Sequence, residues 1–232
     1  YSASGALLWE RIFVSASQLT EEKGYALTVL PNGDIILAGE RGRNSNYDVL
    51  MMRLDGSGNV IWEKIYDVSQ GQSDRARAVV QTADGHLVVA GDATEGAQTV
   101  GLLMKLDQNG TNSPIWTRTF ASADLYDINL SKTGGFFATG TTSLNGLDNL
   151  YVLRTDADGI KIWDRSVGRP GPDQGYAVVP TDDGGCAVGG VSDPSVASTG
   201  YSSYLVKTDR DGVVFTSWIE AKVYHDVNGN CQ

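Results

Sequence analysis

Four stretches of this chain lie over one another with a period near fifty residues, and that self-similarity constrains the fold more than any other feature. They begin GYALTVLPNGDIILAGE, RARAVVQTADGHLVVAGD, YDINLSKTGGFFATGT and GYAVVPTDDGGCAVGGV, and each continues into a second half such as YDVLMMRLDGSGNVIWEKIY or NLYVLRTDADGIKIWDRSV. Gly33, Gly85, Gly134 and Gly184 recur at intervals of 52, 49 and 50 residues, as do Gly39, Gly91, Gly140 and Gly190. Asp55, Asp107, Asp156 and Asp209 follow at 52, 49 and 53.

Within each copy, apolar residues alternate with period two, Val, Ile, Leu and Tyr are enriched, and turn signals break the pattern every few residues. That predicts four short strands per copy, here called a to d. Asn32-Gly33, Asp84-Gly85, Gly134-Gly135 and Asp183-Gly184 mark the a–b turns, pairs that reach positive φ at low cost in hairpins. Asp55-Gly56, Asn109-Gly110, Asp158-Gly159 and Asp211-Gly212 mark the c–d turns. Four antiparallel strands in about fifty residues describe a propeller blade. The predicted class is therefore an all-β β-propeller, with four-stranded blades at about residues 18–67, 68–120, 121–168 and 169–220.

Strand d opens on a tryptophan in most copies. Trp9, Trp62, Trp116 and Trp163 are each followed two residues later by Arg11, Lys64, Arg118 or Arg165, a pattern that reads as inter-blade packing with a cation along the ring. The fourth copy departs, with Phe215 and Trp218 out of register. Residues 1–14 read as a lone outer strand of a preceding or closing blade. Tyr1 falls where a c strand should be ending, which favours a preceding blade and a larger ring. Residues 221–232 leave the repeat. They resemble the opening of small β-sandwich modules in bacterial surface adhesins, and Asp226, Asn228 and Asn230 alternate as oxygen ligands in a spacing that suits Ca²⁺. A plain Asn/Gly turn is the alternative there. No other cofactor is expected.

Charge narrows the partners. A formal net charge of −10 lacks the basic face that phosphate neutralisation needs, so nucleic acid is not an expected partner. No apolar run is long enough for membrane insertion by a helix. Cys186 sits in an apolar strand-like run and reads as a buried thiol, while Cys231 lies near the chain end; no disulfide framework follows from two such residues.

The pattern GYA, then Thr-x-Asp-Gly-Gly, then Lys-x-Asp and Trp-x-Lys/Arg, over residues 5 to about 218, resembles repeats of secreted and cell-surface β-propeller proteins of bacteria, especially Bacteroidetes-type multidomain proteins. The resemblance implies export, an extracellular or cell-surface location and attachment to a longer multidomain chain. Leu125-Tyr126-Asp127 departs from Gly-Tyr-Ala in the third copy. Stretches such as LDGSGNVIW and TDADGIKIW also resemble the tryptophan-docking repeats of pyrroloquinoline-quinone dehydrogenases, without the vicinal cysteines or metal cluster of those enzymes.

No complete catalytic set stands out. His86 and His225 lack a Ser or Cys at a suggestive spacing, and His225, Asp226 and Cys231 are too few for zinc. The paired Asp residues of the c–d turns are better explained by Asx hydrogen bonds than by ions. In an a-b-c-d blade the b–c and d–a loops share one face, and here they are long and variable. Arg43, Asn46, Tyr47, Arg75, Tyr126, Asn145, Asp148, Asp173 and Tyr201 are therefore the expected ligand-binding residues. The expected function is a non-enzymatic binding or adhesion module contacting a glycan or surface protein. A glycan-active lyase or glycosidase domain, and a rigid spacer, are the alternatives.

Overall fold

The structure, a computed structural model, describes residues 4–13, 21–43, 46–144, 146–193 and 200–214. It bears out the propeller. The first blade comprises β1 (Glu21–Val29), β2 (Ile35–Arg43), β3 (Asn46–Leu54) and β4 (Val60–Tyr66). The second comprises β5 (Asp74–Gln81), β6 (Leu87–Glu95), β7 (Gln98–Leu106) and β8 (Trp116–Ala121). The third comprises β9 (Ala123–Leu130), β10 (Phe136–Leu144), β11 (Leu147–Thr155) and β12 (Lys161–Val167). Each is a meander of four hydrogen-bonded antiparallel strands in chain order. The fourth has three strands among the described residues: β13 (Asp173–Pro180), β14 (Cys186–Ser192) and β15 (Ser202–Thr208). An isolated Thr208–Val214 bridge stands where strand d starts in the other blades, and residues 215–220 lie outside the described residues.

Alternation along a strand decides which neighbour each side chain meets. In β7, Leu102 and Met104 join Ile36, Ala38 and Met51 of the first blade in one buried cluster. Leu103, between them, joins Leu125, Ile128 and Phe136 of the third blade in another. A central blade buries both faces, which is why its b and c strands read as continuous apolar runs. Among the described residues, both outer faces of the array keep exposed apolar side chains, with Trp9 and Phe13 covering part of the first. Leu27 is 65% exposed whereas its equivalents Val79, Ile128 and Val178 are buried; Leu205 is 76% exposed whereas Met51, Leu103 and Val152 are buried.

Turn chemistry matches the sequence with one refinement. In the first a–b turn, Leu30 N donates to Asp34 O and Gly33 N to Leu30 O, and only the glycine takes positive φ. In the first c–d turn the left-handed residue is Gly58, not Gly56. The c–d aspartates act as Asx acceptors: Asp156 Oδ1 takes the backbone N–H of Asp158 (2.9 Å) and Ile160 (2.8 Å), and Asp209 Oδ1 those of Asp211 and Val213.

Each strand-d tryptophan docks on the next blade's c–d turn. Trp62 Nε1 donates to Gln108 O (3.0 Å), and Trp163 Nε1 to Arg210 O (2.8 Å). The rings cover Gly110, Gly159 and Gly212 so closely that a Cβ there would lie within 2.8 Å of the indole. Arg118 and Arg165 lie over their own tryptophans as expected, at 5.4 and 5.5 Å. Lys64 instead reaches Asn112. Trp9 makes the same contact with the first blade, Nε1 donating to Gly56 O (3.1 Å). Cys186 is fully buried beside Thr208. Trp163→Ala should lower unfolding free energy by about 3–5 kcal/mol, measured by urea denaturation; a loss below about 1 kcal/mol would mean that the indole does not hold blades together.

Candidate functional site

The decisive local feature lies in the innermost strand of every blade. The ladder between strands a and b slips by one residue at the same place in each copy, between Gly24 and Ala26, Ala76 and Ala78, Leu125 and Asp127, and Gly175 and Ala177. The residues left over are Tyr25, Arg77, Tyr126 and Tyr176. A bulge of this kind turns its extra side chain out of the sheet's alternation. Opposite each bulge stands the strand-b glycine. A Cβ on Gly39, Gly91, Gly140 or Gly190 would lie 1.8–1.9 Å from the strand-a carbonyl of Lys23, Arg75, Asp124 or Gln174. The glycine makes room for the bulge, and the bulge aims the side chain at the axis.

The four bulged residues meet there. Tyr25, Arg77, Tyr126 and Tyr176, with Gln174, line a cavity of about 390 Å³. The Arg77 guanidinium sits 5.7 Å from the Tyr25 ring centre and 5.3 Å from that of Tyr126. Tyr126 and Tyr176 stack with ring centres 5.9 Å apart at 27°. Tyr25 and Tyr176 remain about half exposed, leaving apolar ring surface open to a ligand.

Beneath the rings runs a chain of alternating charge. Lys23 Nζ pairs with Glu40 (2.7 Å), Glu40 with Arg75 (2.7 Å), Arg75 with Asp92 (2.9 Å), and Asp92 with Arg77 (2.8 Å), which lies 3.4 Å from Asp124. Glu40 and Asp92 are buried, and burying them is tolerable only with such pairing. Asp124 sits at the end of this chain. Burial, and then the Asp92 carboxylate, push its carboxyl up to about 7 against the pull of Arg77. Burial and Asp124 together push the Tyr126 phenol up, so it stays a hydrogen-bond donor.

Asp124 and Tyr126 also line a second cavity of about 480 Å³, opening between the second and third blades on the b–c and d–a loop face. Its wall is hydroxyl-rich, with Thr99, Ser122, Thr141 and Ser143, and carries Asp148, whose Oδ1 accepts from Ser143 Oγ at 2.5 Å. The d–a connection here is the single residue Ser122, at φ +55°, which draws the blades together around the cavity.

The loop-face residues expected from sequence separate into groups. Tyr126 and Asp148 line this cavity. Arg75 belongs to the charge chain and lies 5.6 Å from the Tyr47 ring, whose hydroxyl donates to Glu21. Asp173 is fully buried and holds its own loop, Oδ2 accepting from Arg169 N (2.6 Å). Asn46 and Tyr201 are exposed, away from the cavity linings. Arg43 ends β2, its backbone paired with Asn46. Asn145, Asp226, Asn228 and Asn230 lie outside the described residues. Sequence reasoning missed Tyr25, Arg77, Tyr176, Glu40, Asp92 and Asp124. The signal was present: Tyr or Arg at a fixed offset before the strand-b glycine, and an acid directly after Gly39 and Gly91 in otherwise apolar strands.

Residues 82–111 match the model of a family described as a domain of unknown function (DUF5122) beta-propeller. No curated protein matches the chain. Among solved structures it is similar to a protein of unknown function from Dyadobacter fermentans DSM 18053, with a TM-score of 0.51 and 14% identity, covering 81% of this chain and 60% of that one. A bifunctional GH43-CE protein of Bacteroides eggerthii superposes with a TM-score of 0.47 at 16% identity, over 83% of this chain and 26% of that one. The family description and the four antiparallel sheets define the class, the β-propeller. The chain spans 60% of the Dyadobacter protein's length.

Asp124 gives a pH signature. The folded chain holds this proton more tightly than the unfolded chain does, since the carboxyl sits at about 7 rather than 3.8. Its contribution is fully present at low pH and is lost as pH rises from about 4 through about 7. Between about pH 5 and pH 8 the wild-type melting temperature should fall by several degrees relative to Asp124→Asn, on a scale of about 1–3 kcal/mol. Parallel melting curves for the two proteins would contradict the assignment.

Proposed function

We propose that the propeller is a glycan-binding module of an exported bacterial surface protein, with its site at the ring axis and in the adjoining hydroxyl-lined cavity rather than on the loop tips. The observation that carries this reading is the convergence of Tyr25, Tyr126 and Tyr176 around Arg77, beside a cavity rich in hydroxyl and carboxylate groups. Sugar rings present apolar C–H faces and a rim of hydroxyls, and a tyrosine platform next to short polar side chains complements both. Attachment to a longer chain fits the open faces at Leu27 and Leu205, which further blades would cover. The Trp9 contact supports an outer strand from a preceding blade in that larger ring.

A second reading has its own support. Asp124 has an elevated pKa in a cavity that also holds Asp148, the combination an acid–base pair acting on a glycan requires. A glycan array followed by titration calorimetry separates the readings. Tyr176→Ala should weaken binding of a glycan hit by about tenfold, the scale of about 1.4 kcal/mol, while Tyr201→Ala leaves it unchanged. Loss of binding in Tyr201→Ala with full binding in Tyr176→Ala would place the site on the loop tips. Cleavage of the bound glycan by the wild type but not by Asp124→Asn would make the module an enzyme.

A further inference from the structure

The junction of the first and second blades holds a cluster that the axial site does not use. Asp48 lies in β3, Asp67 directly follows β4, and Asp74 opens β5. One carboxylate oxygen from each lies within 4.8 Å of the other two. Asp74 is fully buried. Its Oδ2 accepts the backbone N–H of Val68 (2.7 Å) and Ser69 (2.9 Å), and its Oδ1 is buried with no hydrogen-bond partner. The cations on the neighbouring strands are committed elsewhere: Lys23 to Glu40, Arg41 to Glu22 and Glu63, Arg75 to Glu40 and Asp92. Burial and the two neighbouring carboxylates hold the Asp48 carboxyl above its ordinary value, as burial does for Asp74.

The other two junctions separate what the loop needs from what the cluster adds. Between the third and fourth blades the register places Asn149, Gly168 and Asp173 at the positions of Asp48, Asp67 and Asp74. There Asp173 alone holds the d–a loop through a backbone N–H, its Oδ1 likewise buried without a hydrogen-bond partner, so one buried carboxylate suffices for that structural task. What sets the first junction apart is the two further carboxylates facing Asp74. Between the second and third blades the three positions are Thr99, Ser122 and Ala123, and the loop has shrunk to one residue. Asp48 and Asp67 are thus additions confined to one junction. Their cost is mutual repulsion beside a buried anion.

We propose that Asp48, Asp67 and Asp74 form a binding site for a hard divalent cation of the calcium type, which ties the 67–74 loop to strand c of the first blade. An all-oxygen donor set selects Ca²⁺ over zinc-type ions. Three oxygens about 4.2 Å apart surround an ion at about 2.4 Å, the calcium–oxygen distance, so a set within 4.8 Å of one another needs only small side-chain shifts to close on one. Water and backbone carbonyls supply the remaining ligands. Asp226, Asn228 and Asn230, the calcium ligands expected from sequence, lie outside the described residues.

The test is thermal melting of EDTA-treated protein with and without millimolar Ca²⁺, paired with terbium luminescence as a direct measure of binding. Calcium should raise the wild-type melting temperature by about 5 °C. The shift and the terbium signal should vanish in Asp48→Asn/Asp67→Asn and persist in Asp226→Asn. The single variant Asp67→Asn, changed at an exposed position, serves if the double variant does not fold. Absence of both the shift and the luminescence in the wild type would overturn the proposal. So would an undiminished response in the Asp48 and Asp67 variants.

Discussion

The close approach of a strand-b glycine to a strand-a carbonyl governs both the packing and the chemistry of this molecule. With a hydrogen atom at Gly39, Gly91, Gly140 and Gly190, the inner strand can bulge; with any Cβ there, the carbonyl 1.8–1.9 Å away would have to move. The bulge releases Tyr25, Arg77, Tyr126 and Tyr176 from the alternation that sends their neighbours into the inter-blade cores. Ala26, Ala78, Ile128 and Val178 then resume packing beyond it. One backbone irregularity, repeated four times, gathers a side chain from each hydrophobic sheet around one cavity.

At the outer rim a second repeated contact sets the blade-to-blade angle. An indole reaches across each junction to a left-handed glycine whose φ and lack of side chain are both required, at Gly110, Gly159 and Gly212. Fixed at the rim by tryptophan and at the axis by the bulge, the blades can vary in their d–a loops. The three junctions use that freedom differently: an acidic cluster at the first, a hydroxyl-lined cavity at the second, and a single loop-holding Asp173 at the third.

Much of the scaffold was legible in the sequence because its constraints are local. Turn glycines, Asx aspartates and docking tryptophans each act within one hairpin or across one junction, so their period announces the blade. The site was less legible. Tyr25 and Tyr176 belong to the repeated Gly-Tyr-Ala pattern, and repetition there reads as packing until the register slip is known. Arg77 replaces tyrosine only in the second copy, and Asp124 only in the third. Their meeting depends on four inner strands, about fifty residues apart in sequence, converging on one cavity, a consequence of blade packing that no single segment encodes. Variable loops drew attention outward to Tyr201, while Tyr25, Tyr126 and Tyr176 converge on the inner cavity.

Photo-oxidative cross-linking of tyrosines, mapped by mass spectrometry in wild type and in Gly140→Ala, tests the bulge most directly. The rings of Tyr126 and Tyr176 lie 5.9 Å apart only because both side chains leave their sheets at a bulge. The wild type should give an intramolecular Tyr126–Tyr176 link, and Gly140→Ala should lose it while the distant blades keep their fold. No such link in the wild type, or an equal yield in the variant, would contradict the view that glycine-permitted bulges build the axial site.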